Sequence, residues 1–562
     1  MPLMSRFVLK NIALSLLSAL LLSLPWRVPH TGWLLLIALL PLFWVEAEYS
    51  RQARRGCWKY YTLTFLVWNA LTCYWVSKAT LAGGIFAVVG NAFQMFLIFA
   101  LFRWAKRRMG QGLGYFFLAV LWMAWEYFYF DAEISWPWLV LGNGFADTTS
   151  LIQWYEYTGV LGGSAWVFLA NVALWKLWET WQAQRGSLPV AIGLPKRIMI
   201  AAVIVLLPVS LSLFRYFTFK EAHNPIEVAV LQPNIDPYID KFGNMSQEQQ
   251  DLKLLGLMEK ALGPNTAYMF APETFISTES VHENSLMQNR SLQRFYGFLQ
   301  DRPQLGLVIG ATSTLQYPAA PKPPTKTARK GHNYWYDRFN VAIQLSEGLE
   351  PQIYRKSKLV IGAEKMPYTR YLKYLNNFAV DLGGAMGSFG TQEEASVFPA
   401  PWNEAVKQPA AAGQAAAGAQ KEPLSVGVAI CYESVYGDYF ASYVRKGAGL
   451  MSVITNDGWW GNTPGYHQHL SYSRLRAIET RRSIARSANT GISALINQRG
   501  DIVQQTAWWE DAYLRGELNV NHKLSFYVRH GDVIGCVCVY LLILLLIYSF
   551  VPRRYKFFTF HS

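Results

Sequence analysis

The chain has 562 residues, of which 52% are hydrophobic, 15% aromatic and only 16% charged. It is too long for one ordinary core, and its apolar composition excludes an ordinary soluble protein and indicates a membrane protein. The net charge of +14 could indicate a nucleic-acid partner. The basic residues, however, cluster between apolar segments, where membrane topology accounts for them, so no nucleic-acid partner is expected.

Apolar segments separated by short polar loops make up the first part of the chain. Most approach the ~20 residues that a helix needs to cross a bilayer core. There are seven of them, 8–24, 33–47, 60–76, 85–102, 114–130, 159–178 and 198–217, and another follows at 533–551. The first resembles a signal peptide, but no small-x-small cleavage site follows it. We therefore predict an α-helical membrane bundle of eight spans, the first of them retained.

The charges in the loops predict the orientation of these spans. Basic residues cluster before the third span, after the fourth and before the seventh, whereas the loop 131–158 has four acids and no Lys or Arg. By the positive-inside rule the amino terminus is cytoplasmic, and seven crossings put the following region outside. Arg553, Arg554 and Lys556 after the last span return the carboxyl terminus to the cytoplasm.

The long polar region between the seventh and last spans alternates strand and helix patterns, which is typical of an α/β domain. We predict three parts: membrane spans in 1–219, an extracytoplasmic domain in 220–531, and a last span with its tail in 532–562. Predicted strands are 227–232, 267–272, 305–311, 339–345, 426–430, 450–455 and 493–496, and predicted helices are 247–262, 281–299 and 468–487. Residues 318–330, rich in Pro and Lys, and residues 410–421, rich in Ala, Gly and Gln, resemble insertions.

Cys431 follows the predicted strand 426–430 and precedes a turn at Gly437 and a helical pattern. A helix amino terminus favours negative charge, so this position is expected to favour thiolate over thiol. The alternative is a small core residue, because a free Cys is usually buried and inert. Cys431 is the only Cys in 220–531, so no disulfide framework is expected there.

Two further residues follow strand-like runs: Glu273 in FAPET and Lys356 in IYRKSKL. A carboxylate, an amine and a thiol suffice for acyl transfer through a thioester. Glu can act as general base, and Lys can stabilise thiolate and oxyanion by its charge. Taken singly, such a Glu is usually a cap or a solvated turn residue and such a Lys is usually on the surface.

In this order FAPET, YRKSKLV and CYES resemble the signatures of the nitrilase, or carbon–nitrogen hydrolase, superfamily. The resemblance continues at TNDGWWG, residues 455–461, and in residues 474–493. It implies Glu, Lys and Cys on an αββα sandwich. With seven spans before the domain, one after it, and SWPWL at 135–139, the closer resemblance is to the membrane-embedded apolipoprotein N-acyltransferase family.

The resemblance implies a role for each matching residue. Glu273 would be the base, Lys356 the partner of thiolate and oxyanion, and Cys431 the nucleophile. Glu364 matches a second active-site Glu, with a salt bridge to Lys356 as its alternative role, and Tyr432 and Glu433 match residues needed after the nucleophile. Residues that could line a lipid entrance are Trp136, Trp138, Phe242, Trp459 and Trp460, although anchoring at the membrane interface explains the first two equally well.

Two departures from the family pattern concern the loops. Lys365 puts a charge where an aromatic residue is usual. The expected Trp near Lys241 is absent, and Phe242 is its replacement. His467 and His469 could indicate a metal, but no third ligand is spaced with them, so neither a metal nor another cofactor is expected.

The resemblance implies acyl transfer from a membrane phospholipid to the diacylglyceryl-cysteine amine of apolipoproteins. It also implies a monomer in the bacterial inner membrane with a periplasmic catalytic domain. One alternative is a membrane-tethered amidase or nitrilase that uses the same three residues on a soluble amide, with water as acceptor. Another is a lipid transporter whose outer domain only binds, which predicts charges buried within the spans, as Glu126 would be.

Overall fold

The computed structural model describes residues 6–184, 193–365, 389–405 and 423–551. The chain divides into two compact units, Met1–Phe219 with His530–Ser562, and Lys220–Arg529. The predicted division into 1–219, 220–531 and 532–562, and the periplasmic assignment of the middle part, remain predictions.

The first unit is helical. Its helices are α1 (Arg6–Ser23), α2 (Leu40–Arg51), α3 (Trp58–Cys73), α4 (Val76–Ala79), α5 (Leu81–Met109), α6 (Gln111–Asp131), α7 (Tyr155–Gln184), α8 (Gly193–Thr218) and, near the end of the chain, α15 (Val533–Phe550). Within the described ranges, seven helical segments are long and apolar enough to cross a membrane. The membrane bundle is confirmed, but the number of spans differs from the predicted eight.

The difference lies in the predicted third span, residues 60–76. Its helix α3 has 16 residues, and α4 follows after Tyr74 and Trp75. At 1.5 Å per residue α3 alone is about 24 Å long, and the predicted span is not one continuous helix. An apolar run counted in sequence does not reveal where the helix is interrupted.

Between α6 and α7 the chain forms short 3₁₀ turns rather than a long helix, including Pro137–Leu139 and Leu141–Phe145. Their buried backbone groups need partners inside the unit. Glu126, which is fully buried, accepts the N–H of Leu141 at 2.9 Å, and Ser164 accepts that of Gly142 at 3.1 Å. Glu126 therefore supports the backbone, which weakens the transporter alternative.

Trp136 and Trp138 belong to this segment. Their rings stack at 5.3 Å, and Trp138 also packs 4.9 Å from Trp75. Trp138 is 1% exposed. The lipid-facing prediction is therefore wrong for Trp138, whose apolar area is used in packing; Trp136 is half-buried.

The second unit contains two sheets. Their strands are β1 (Pro225–Gln232), β2 (Thr266–Phe270), β3 (Ile276–His282), β4 (Gly306–Pro318), β5 (Arg329–Lys330), β6 (Tyr334–Ser346), β7 (Gln352–Arg355), β8 (Val397–Pro399), β9 (Ser425–Ile430), β10 (Leu450–Thr455), β11 (Ile484–Ala488), β12 (Ala494–Ile496), β13 (Ile502–Gln505) and β14 (Ala512–Asn519). The first sheet has the order β14-β1-β2-β4-β6-β5, with β3 on β4 and β7 on β6; the second sheet has the order β13-β12-β11-β10-β9-β8. The helices are α9 (Gln247–Ala261), α10 (Arg290–Leu299), α11 (Pro401–Ala405), α12 (Gly437–Arg445), α13 (Pro464–Thr480) and α14 (Phe526–His530).

The alternation of side chains along β1 explains the layers. Val228 and Val230 pack in the core shared with the second sheet, whereas Ala229 and Leu231 pack in the core that contains α9 and α10. On the other side, α12 and α13 contribute to the core of the second sheet. The predicted αββα sandwich is confirmed, because period-two alternation places one apolar face on each side of a sheet.

Two predicted helices are wrong in part. Residues 281–299 contain the end of β3, a 3₁₀ turn and only then α10, which Asn289 caps. The predicted helix 468–487 ends at Thr480, because Arg481 adopts a left-handed conformation, and Ile484–Ala488 becomes β11. Of the two insertions, 318–330 runs from the end of β4 to β5, and 410–421 lies outside the described residues.

Candidate active site

The three predicted residues follow three strands that end at one edge of the sandwich. Glu273 lies three residues after β2, Lys356 directly after β7 and Cys431 directly after β9. Lys356 donates a hydrogen bond to Glu273 Oε1 at 2.9 Å. Cys431 lies close enough to both for their charges to affect its thiol. The structure thus brings the carboxylate, the ammonium and the thiol together.

Glu273 is buried, and both of its described hydrogen bonds reach the same oxygen. Lys356 Nζ and Asn340 Nδ2 donate to Oε1 at 2.9 and 2.8 Å. Within the described residues no group donates to Oε2. This second oxygen is therefore the one available to take a proton from an approaching thiol or amine.

Lys356 is 1% exposed and lies between two carboxylates, since Glu364 is 3.0 Å from its Nζ. Burial alone would lower the pKa of Lys356, but Glu273 and Glu364 outweigh it and raise that pKa. The ammonium stays charged and keeps its place. Glu364 also accepts from Asn340 at 2.7 Å and from the N–H of Val360 at 2.8 Å.

Cys431 occupies a strained turn between β9 and a 3₁₀ segment, with a φ of 50°. Such a conformation is unfavourable for a side chain other than Gly and is typical of functional sites. Its carbonyl accepts from Ser434 Oγ at 2.7 Å, and His469 Nε2 lies 3.1 Å away. These contacts hold the turn that presents the sulfur to the site.

The expectation that the helix terminus favours thiolate is wrong for this site. Burial raises the pKa of the Cys431 thiol well above its usual range, Glu273 raises it further, and Lys356 opposes both. The helix α12 begins only at Gly437, after the 3₁₀ segment. A thiol with a raised pKa needs a base for its reaction.

Glu433 links the turn at Cys431 to the segment that carries Lys356 through hydrogen bonds. This fully buried carboxylate accepts the N–H of Ile430 at 2.8 Å and that of Ser357 at 2.7 Å. The hydroxyls of Tyr354 and Tyr443 donate to it at 2.6 and 3.0 Å. Tyr432, the other predicted neighbour, is 4% exposed and packs its ring against Tyr436 at 5.3 Å.

Replacing Glu433 by Gln is expected to slow the reaction about 100-fold and to reduce the free energy of unfolding by about 1–3 kcal/mol. The amide would turn a donor toward groups that are themselves donors, so the two segments would separate. Turnover and thermal unfolding measure the two effects. The control, Glu394→Gln, changes a carboxylate with a side chain that is 78% exposed. Wild-type turnover in Glu433→Gln would contradict the role of Glu433 in linking the two segments.

Gly310 lies against the backbone of Glu273. A Cβ there would approach the Cα of Glu273 and the carbonyl of Pro272 to 2.5 Å each. Gly310→Ala is therefore expected to displace Glu273, to cost about 1–3 kcal/mol of stability and to slow turnover about 100-fold. In Gly256→Ala the new methyl group meets no atom within 4 Å, so this control should keep its turnover. Equal turnover in both variants would show that Glu273 tolerates the shift.

Cys431, Asp457 and His469 offer ligand atoms that all lie within 4.8 Å of one another. The donors, however, are engaged with the protein. Asp457 accepts from Arg486 at 2.6 Å and lies 2.9 Å from His469 Nδ1. Burial would raise the pKa of Asp457, but Arg486 and His469 lower it to about 2. Asp457, His469 and Arg486 therefore form a group that supports the turn at Cys431.

The sequence prediction missed Asn340, which bridges Glu273 and Glu364. No motif marked this residue, because it stands within the apolar alternation of β6. Of the predicted lipid-facing residues in this unit, Phe242 is 37% exposed and stacks on Trp459 at 6.4 Å. Trp459 and Trp460 are half-buried, and Trp460 packs against His469 at 5.6 Å.

A buried thiol, base and ammonium at the edge of an αββα sandwich define an enzyme of the carbon–nitrogen hydrolase class. The family model described as "Carbon-nitrogen hydrolase" matches residues 227–522. The chain therefore belongs to the carbon–nitrogen hydrolase family. A second model, "Apolipoprotein N-acyltransferase N-terminal domain", matches residues 18–173.

Similar full-length proteins carry both parts. The apolipoprotein N-acyltransferase of Chlorobaculum tepidum is 27% identical, with 98% of each chain covered. That of Geobacter metallireducens is 28% identical over 94% of this chain and 93% of its own, and that of Thermotoga maritima is 26% identical over 93% and 91%. Together with the apolar helices, these matches identify a multi-pass membrane protein in the membrane-embedded branch of the family.

Proposed function

We propose that this protein transfers an acyl chain from a membrane phospholipid to the amino-terminal amine of a diacylglyceryl apolipoprotein, through a thioester on Cys431. The observation that carries the proposal is the convergence of Glu273, Lys356 and Cys431 in a chain that also has membrane helices. Both substrates carry acyl chains, and removing them into water would cost about 0.8 kcal/mol per CH₂. An enzyme anchored in the bilayer avoids that cost.

In the first half-reaction Glu273 Oε2 takes the thiol proton as the sulfur of Cys431 attacks the phospholipid ester. The tetrahedral oxyanion is stabilised by the Lys356 ammonium. When the ester C–O bond breaks, Glu273 returns the proton to the departing alkoxide, which leaves as lysophospholipid. Glu364 and Asn340 hold the side chains of Lys356 and Glu273 in place during these steps.

In the second half-reaction the amine of the lipoprotein attacks the thioester. Glu273 accepts a proton from the amine, an amide forms, and the C–S bond breaks. The released sulfur regains its proton from Glu273, so the site returns to its first state. We assign the reaction to the periplasmic face of the bacterial inner membrane and the active form to a monomer.

Intact mass of a diacylglyceryl lipopeptide, incubated with enzyme and one defined phospholipid, tests the proposal. We expect a mass increase of one acyl chain and an equimolar amount of lysophospholipid. Release of free fatty acid with an unchanged lipopeptide would instead indicate hydrolysis of the phospholipid ester, with water as the acceptor. No change in either lipid or lipopeptide would exclude the transfer.

A further inference from the structure

Lys241 is a buried lysine next to the candidate base. Its side chain lies in the loop after β1 and is 2% exposed, although a lysine is almost never fully buried without a charged partner. Within the described residues its Nζ donates one hydrogen bond, to Thr274 Oγ1 at 3.0 Å, and forms no salt bridge. Thr274 directly follows Glu273 in the chain.

The bond to Thr274 acts on a strained position. Thr274 has a φ of 47°, an unfavourable conformation for a β-branched residue that the surroundings must maintain. The backbone of Lys241 is itself anchored, because its carbonyl accepts from Gln250 Nε2 at 2.8 Å and its N–H donates to Asp236 O at 2.9 Å. A fixed loop therefore holds the turn that aims Glu273.

We propose that Lys241 is a positioning residue for Glu273: it holds the turn at Thr274 in place and adds a second positive charge near the candidate base. This inference rests on the role given to Glu273 above. Burial lowers the pKa of Lys241 to about 8, against the opposing effect of Glu273. The ammonium and the carboxylate therefore attract each other, although they do not touch.

The charged groups around Glu273 come from three segments. Lys356 and Glu364 follow β7, Cys431 follows β9, and Lys241 lies in the loop after β1. Lys356 and Lys241 are the two cations among these groups. Removing Lys241 would release the turn at Thr274 and take away one of these cations, so acylation of Cys431 should become slower.

The experiment follows acylation of Cys431 by a long-chain p-nitrophenyl ester, measured as a burst of p-nitrophenol near neutral pH. This donor needs neither phospholipid nor lipoprotein. We expect Lys241→Met to slow the burst about 10- to 100-fold and to leave KM within about twofold. Lys241→Arg, which keeps the charge and a donor for Thr274, should restore most of the wild-type burst.

The matched control is Lys253→Met on α9. The side chain of Lys253 is 28% exposed and pairs with Asp511, so the burst should be that of the wild type. Thr274→Val removes the hydroxyl but keeps the ammonium, so it should slow the burst about tenfold. A wild-type burst in a folded Lys241→Met variant, or no rescue by Lys241→Arg, would overturn the proposal. If the Lys241→Met variant does not fold, an unchanged burst in Thr274→Val would overturn it.

The two proposals can fail separately. A wild-type burst with the expected Lys241 effects, but without transfer from phospholipid to lipopeptide, would reject the proposed function and leave the role of Lys241 standing. Transfer by the wild type, with an unchanged burst in Lys241→Met, would support the proposed function and reject the role of Lys241.

Discussion

Cys431→Ala is expected to abolish acyl transfer, with a loss of about 10⁴-fold or more, because the reaction would lose the atom that carries the acyl group. The protein should still fold, since the sulfur makes no described bond to backbone and Ala fits the turn as well as Cys. With a phospholipid radiolabelled in its acyl chain, wild-type enzyme should retain label after denaturation and release it with neutral hydroxylamine. Cys431→Ala should retain none.

The chain offers a matched control for this experiment. Cys536 on α15 is an exposed free thiol, and Cys536→Ser should retain as much label as the wild type. Hydroxylamine-sensitive label on Cys431→Ala would identify another nucleophile and contradict the thioester at Cys431.

Glu273→Gln is expected to lower kcat about 10³-fold, within the range typical of a lost general base, with little change in KM. The amide keeps the shape of the side chain but cannot take a proton. Besides lowering kcat, the same substitution should change the pKa of the Cys431 thiol. Glu273 raises the pKa of Cys431 and Lys356 lowers it, so removing the negative charge lowers the pKa of the thiol.

Two measurements on Glu273→Gln should therefore diverge. Acyl transfer should fall, while alkylation of Cys431 by iodoacetamide near neutral pH should become faster, because a larger fraction is thiolate. Peptide mass spectrometry assigns the alkylation to Cys431. Glu279→Gln, which changes an exposed carboxylate on β3, should change neither rate. If both rates fell together in Glu273→Gln, the residue would act through the fold rather than as the base.

Several features of the fold were predictable because they rest on local patterns. The strand before Cys431 and the strand β10 follow from short runs of β-branched residues. Most of the membrane helices follow from apolar length. The interruption after α3 and the end of α13 at Arg481 were not predictable, because a helical pattern continues through both.

By itself the sequence determined that a thiol, a carboxylate and an amine follow strand-like runs in a chain with membrane segments, because these properties depend on residue type and spacing. Only the tertiary structure decided which oxygen of Glu273 is available, that Asn340 bridges Glu273 and Glu364, that Lys241 contacts the residue after Glu273, and that burial raises the pKa of the thiol. The physical reason is that hydrogen bonds and pKa values depend on distance and burial. Residues far apart in the chain, such as Glu273 and Cys431, acquire these only when their strands end at the same edge.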